Sequence, residues 1–245
     1  MSGHPSRSHG SLADAAERQM KAWAMSLEVR ERVDKERALQ EVPRRTHPYV
    51  SISRQCGAGG TEIAQYLARH LGWEVLDREI LQYMSQQYRL PETILEHVDE
   101  SRFNWLWDIF GTWLDRKLVT QTEYVSRLGR ILMLAARHGP LIIVGRGSQF
   151  ILPRERGVLV RVIAPEQDRV RRVMRRQGMS REEATQYIAT QDRDRDEFVR
   201  RYFHRDASDP QHYDLVINTQ FTSPADAAEL ITLLCRSRFG DELKS

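Results

Sequence analysis

The chain has almost no lysine. Of its 37 basic positions only Lys21, Lys35, Lys117 and Lys244 are lysine, and the rest are arginine. Anion chemistry in the core must therefore be carried almost entirely by guanidinium, which is planar, always charged and forks onto two oxygens. Cysteine is equally scarce. Cys56 and Cys235 are far apart and match no metal-ligand spacing, so they read as reduced thiols of a cytoplasmic protein. No apolar run approaches the roughly 20 residues of a membrane-spanning helix, and the polar N-terminus lacks the apolar stretch of a signal peptide. Net charge is low, +3 over 245 residues, which argues against a dedicated nucleic-acid binder. What is present is a 40% hydrophobic composition with five tryptophans, enough to bury one large α/β domain with an appendage.

Residues 1–11 are rich in Ser, Gly and His and read as disordered. From Leu12 to about Gln40 the chain is charged and free of Gly and Pro, which favours a helical arm; its narrow apolar stripe of Met20, Trp23 and Leu27 would dock on the core or on a second subunit. Pro43 and Pro48 break it. The spacing then predicts strands at Tyr49–Ser53, Trp73–Leu76, Leu141–Val144, Val158–Ile163 and Asp214–Ile217. Helices are predicted at Thr61–Leu71, Glu166–Gln177, Ser180 to about His204, and Pro224–Phe239, with a largely helical insertion over 78–138. Strands alternating with helices predict a three-layer α/β domain over 48–245, built on a central parallel five-stranded sheet, after an N-terminal segment 1–47. Phe103, Trp105, Trp107, Phe110 and Trp113 crowd the insertion, where a helix–helix core or a dimer interface suits their spacing better than a base-stacking platform.

The chemical signal lies between the first strand and the first core helix, in Ser53-Arg54-Gln55-Cys56-Gly57-Ala58-Gly59-Gly60-Thr61. Gly57, Gly59 and Gly60 let backbone N–H groups turn inward around Ala58 and let a phosphate approach closely. The following helix start adds its positive end, and Thr61 offers a hydroxyl to phosphate or magnesium. The loop departs from G-x-x-x-x-G-K-[ST] at two positions: Arg54 stands where the first Gly belongs, and Gly60 where the Lys belongs. Arg54 is the local replacement cation. A plain Gly-rich turn is the competing reading. Asp77, at the end of the second strand, suits either a site or a helix cap. Arg146, between two glycines after the third strand, suits a bidentate phosphate clamp or a structural ion pair.

Tyr49–Asp77 followed by Arg78-Glu79-Ile80, with Leu141–Ile151 (LIIVGRGSQFI), Gln191–Asp196 (QDRDRD) and Tyr213–Thr219 (YDLVINT), resembles the cytidylate kinase-like family, a divergent branch of the nucleoside monophosphate kinases. In that family Arg54 and Gly60 are ordinary traits of the loop. The resemblance covers about residues 48–240 and implies a P-loop kinase fold, with ATP and Mg2+ as cofactors and a nucleoside monophosphate such as CMP as acceptor. It implies that Thr61 and Asp77 hold magnesium, that Asp77, Arg78 and Arg146 organise the acceptor, and that Arg193 and Arg195 close an Arg-rich lid over about 175–205. Arg175 and Arg176 are second choices there, and a solvated helix laced with i,i+4 pairs is the competing reading of the lid. Arg146 has glycine neighbours where cytidylate kinases carry acids. That departure, with the missing Lys, motivates an alternative: an inactive nucleotide-binding sensor. An Arg-rich nucleic-acid binder is a third reading, which the near-neutral charge disfavours.

Overall fold

The computed structural model describes residues 18–19, 46–77 and 119–244. The helical arm apart from Arg18 and Gln19, the Trp-bearing part of the insertion, and Arg78 lie outside the described residues. The chain divides into two units, residues 1–46 with 78–138 and residues 47–77 with 139–245. In the first unit, helix α2 (Val119–His138) has Val125, Leu128, Ile131, Leu132 and Ala135 buried at helical spacing. The second unit holds the sheet and the phosphate loop.

Strand β1 (Tyr49–Arg54) is the middle of five parallel strands. The others are β2 (Glu74–Leu76), β3 (Leu141–Val144), β4 (Gly157–Ile163) and β5 (Leu215–Asn218), and the spatial order is β2-β3-β1-β4-β5. Val50 pairs with Ile142 on one side and Val158 on the other, so β1 is covered by backbone on both edges. Strand alternation sorts the side chains. Val50, Ile52, Ile142, Val144, Val158, Val160 and Val162 form one core with Ile63, Ala64 and Leu67 of helix α1 (Gly60–Leu71) and Ala228, Ile231 and Cys235 of the C-terminal helix (Pro224–Phe239). Tyr49, Ser51 and Ser53 face the other way, where Ser51 Oγ and Ser148 Oγ share a 2.7 Å hydrogen bond.

Local chemistry sets the element ends. Gly72 is left-handed at φ 69° and returns its N–H to the Ala68 carbonyl, which stops α1. Ser180 and Glu183 close a capping box that opens the 23-residue helix Arg181–Phe203. Ser223 and Asp226 form a second box at Pro224. The fifth strand runs Leu215–Asn218, one residue later than the predicted Asp214–Ile217. Asp214 accepts from the Leu159 N–H at 2.7 Å through its carboxylate, and its own N–H donates to the Leu159 carbonyl. The same carboxylate receives Arg154 at 2.6 Å and Arg238 at 2.8 Å. Burial pushes this carboxyl up, but the arginine and backbone hydrogen bonds outweigh burial and bring it down to about 2. This cluster pins the amino ends of β4 and β5, opposite the phosphate loop.

Candidate active site

The loop leaves β1 at the carboxyl edge of the sheet, where open α/β folds place their ligands. The Gln55 N–H donates to the Val162 carbonyl at 3.0 Å and the Ala58 N–H to the Gln55 carbonyl at 3.2 Å, so the chain folds back once before α1 begins. Gly59 caps α1 with no side-chain hydrogen bond. The first-turn amides therefore have no acceptor within the helix, and they coincide with its positive end. Thr61 lies in this turn and is partly exposed.

Two helices hold the loop from outside. Helix α3 (Glu166–Gln177) approaches so closely at Arg169 that a Cβ on Gly57 would lie 2.8 Å from the Arg169 carbonyl oxygen. The buried Arg169 guanidinium donates to the Ala164 carbonyl at 3.0 Å, the Cys56 carbonyl at 3.2 Å and the Asp192 carboxylate at 2.5 Å. Asp192 stands on helix α4 (Arg181–Phe203). Its other oxygen accepts from the Cys56 N–H at 2.6 Å and from Arg195 at 3.4 Å. Arg172 reaches Thr219 through the hydroxyl at 2.8 Å and the carbonyl at 2.6 Å, and Thr219 Oγ1 donates to the Ala58 carbonyl at 2.9 Å. Asp192, Arg169, Arg172 and Thr219 thus fix the loop's shape through its own backbone. Burial pushes the Cys56 thiol up despite the neighbouring Arg195, so it stays protonated at neutral pH.

The Arg54 side chain occupies the space where a side chain at position 60 would begin. A Cβ on Gly60 would lie 2.9 Å from both Cβ and Cγ of Arg54, so the arginine stem runs directly over the first residue of α1. Its head ends against Gly145, where a Cβ would overlap the guanidinium. Arg54 thus crosses from the end of β1 to the end of β3, and Arg195 donates to its carbonyl at 3.3 Å.

The turn after β3 is left-handed at three successive residues, with φ of 85° at Gly145, 62° at Arg146 and 65° at Gly147. A left-handed arginine carries backbone strain, the kind that concentrates at functional sites. The Arg146 guanidinium lies 5.7 Å from the Phe198 ring centroid, and Phe203 packs against Gly147. Helix α4 therefore touches both the phosphate loop and the Arg146 turn. Asp77 lies just past β2 on the same carboxyl edge, separated from β1 by β3.

The geometry distinguishes among the sequence candidates. Arg54, Gly57, Ala58, Gly59, Gly60, Thr61 and Arg195 come together at the loop, and Arg146 and Asp77 line up along the same edge. Arg193 is exposed, because it is rotated away from the face of α4 that carries Asp192 and Arg195. Arg176 pairs with Glu62 at 3.1 Å between exposed side chains, and Arg175 is exposed. Sequence reasoning missed Asp192, Arg169, Arg172 and Thr219. Asp192 and Thr219 lie within the quoted QDRDRD and YDLVINT segments, where the sequence reading names only Arg193 and Arg195 as site residues. It also missed Arg161, which donates to Ser53 Oγ at 2.8 Å on the face of β1 opposite Arg54. Near it, burial raises the Asp196 carboxyl against the pull of Arg161, and Asp192 adds to the rise.

Among the described residues, no helix is long and apolar enough to cross a membrane, and no group of three or more His, Cys, Asp or Glu could hold a metal. The profile of the cytidylate kinase-like family matches residues 49–220, a span that includes the whole loop, Arg146, Asp192 and Thr219. A curated relative described as a cytidylate kinase, from Ignicoccus hospitalis, is 24% identical over 183 residues, covering 74% of this chain and 95% of its own length. An uncharacterised protein from Eubacterium ventriosum has a crystal structure that superposes with a TM-score of 0.64 at 21% identity, over 78% of this chain and 99% of that one. The sheet order, the loop between β1 and α1, and the family match agree: the fold is the α/β fold of P-loop kinases, and the chain belongs to the cytidylate kinase-like family.

Proposed function

We infer that the protein transfers the γ-phosphoryl group of ATP to a nucleoside monophosphate, with CMP the first acceptor to test. The carrying observation is the loop at the end of β1. Its first-turn amides have no acceptor within the helix, and the Arg54 stem runs over the same turn to place its guanidinium at Gly145. Phosphoryl transfer asks a protein mainly for positioning and charge neutralisation, and these groups supply both. Gly57, Ala58, Gly59, Gly60 and Thr61 would cradle the phosphates of ATP. Thr61 and Asp77 would hold Mg2+, which usually enters with substrate phosphates and one or two carboxylates rather than in an all-protein cage. Arg146, with Asp77 and Arg78, would orient the acceptor. Arg195, already at the loop, is the better placed of the two lid arginines. The cytidylate kinase relative supports the choice of acceptor class.

A second reading has its own observation. The loop has no lysine, and Asp192 engages Arg195, one of the two lid arginines, at 3.4 Å. This favours a nucleotide-binding module without turnover. A coupled ADP-release assay with ATP–Mg and CMP, dCMP, UMP or AMP separates the two. Acceptor-dependent ADP release is the expected result. ATP binding with no ADP release from any acceptor would establish the second reading instead.

A further inference from the structure

We propose that positions 54 and 60 form one reciprocal pair, able to hold a single long side chain between them, and that Gly60 and Gly145 are positioning residues for the Arg54 cation. This deepens the reading of the loop as a triphosphate site and rests on it.

The geometry at Gly60 is selective. Its backbone is helical, the first residue of α1, so a side chain there meets no conformational penalty. A Cβ at that position would lie 2.9 Å from Cβ and from Cγ of Arg54. The next neighbour, Cγ2 of Ile52, is at 3.5 Å, an ordinary contact. The Arg54 stem alone blocks the position. Real Cβ atoms avoid such distances, and the blocking atoms are the stiff base of the arginine side chain, not its mobile tip. A lysine at 60 and an arginine at 54 therefore exclude one another.

The channel continues past Gly60 to Gly145, where a Cβ would overlap the guanidinium. A lysine at 60 would start from the helix, above the loop. Arg54 starts from the strand, crosses the same turn, and delivers its charge to the crevice between the ends of β1 and β3. That crevice also receives the Arg146 turn. The loop cation has thus moved toward the side where Arg146 stands, and a fork replaces a point charge. A fork can bind two oxygens of one phosphoryl group. Both positions that the arginine crosses, 60 and 145, are glycine.

The test is a four-member series read by ATP–Mg titration: wild type, Gly60→Lys, Arg54→Gly, and the double exchange Arg54→Gly/Gly60→Lys. Each single variant is expected to weaken ATP–Mg binding by about 10- to 100-fold, the scale of one charge-assisted contact. The double exchange is expected to bind more tightly than either single, because the lysine then has room and the loop regains one cation. In a protein whose wild type binds ATP, a double exchange no tighter than Arg54→Gly overturns the pairing while leaving the loop's role intact. A wild type that binds no ATP overturns the loop reading itself, and melting then decides the pair. Gly60→Ala should lower Tm with Arg54 present and should not lower it in the Arg54→Gly background. An equal fall in both backgrounds overturns the pairing.

Discussion

Arg54→Ala is expected to reduce turnover by about 10²- to 10³-fold, the usual cost of removing one preorganised donor to the charge that develops in transfer. Arg54 is the cation that lies across the first turn of α1, with its stem on Gly60 and its head at Gly145. Alanine leaves the loop amides in place and removes the charge. Binding should weaken, but kcat should fall further, because negative charge on the moving phosphoryl oxygens peaks in transit. Arg54→Lys should recover only part of the loss, since an ammonium cannot fork. The folded domain should survive, because the side chain is only partly buried and ends no core cluster. The comparison is made in the ADP-release assay with Tm measured alongside. Turnover unchanged in a stably folded Arg54→Ala protein would remove Arg54 from the chemistry.

Asp192→Ala is expected to cost about 3 kcal/mol of stability, the scale of breaking a buried charge pair from one side. For a chain of this size that corresponds to a fall in Tm of about 6–12 °C. The carboxylate takes the Cys56 N–H, the buried Arg169 and Arg195 together, so its loss strands the charge of an arginine that is only 8% exposed. Asp192→Asn can still accept from the Cys56 N–H but cannot neutralise Arg169, so it should fall in between. Double substitution with Arg169→Met should recover part of the loss, because no buried charge is then left alone. A Tm within a degree of wild type for Asp192→Ala would show that the pair does not hold the loop.

These residues also mark what was legible in the sequence. Periodicity placed β3, α3 and the C-terminal helix at their observed ends, because short apolar runs bounded by Gly, Pro and Ser allow few alternatives. The Ser180–Glu183 box and the Gly72 stop were readable because capping is local chemistry. The phosphate loop was legible as a composition of glycines between a strand and a helix. What holds it was not. Cys56 and Asp192 are 136 positions apart, and Ala58 and Thr219 are 161 apart. No local pattern joins them. Arg193 and Arg195 looked equivalent in QDRDRD, and only the phase of α4 separates them. The role of Gly145 could not be read either, since it reflects the reach of a side chain from a neighbouring strand.

The most direct measurement is a calorimetric titration of the full chain with adenosine, ADP–Mg and ATP–Mg. The loop and the Arg54 cation beside it are the parts of the proposed site that count the phosphates of the nucleotide. Affinity should rise from adenosine to ADP to ATP, with the last step reduced in Arg54→Ala. Adenosine binding as tightly as ATP, or no binding of ATP–Mg at all, would contradict the assignment of the β1–α1 loop as a phosphate site.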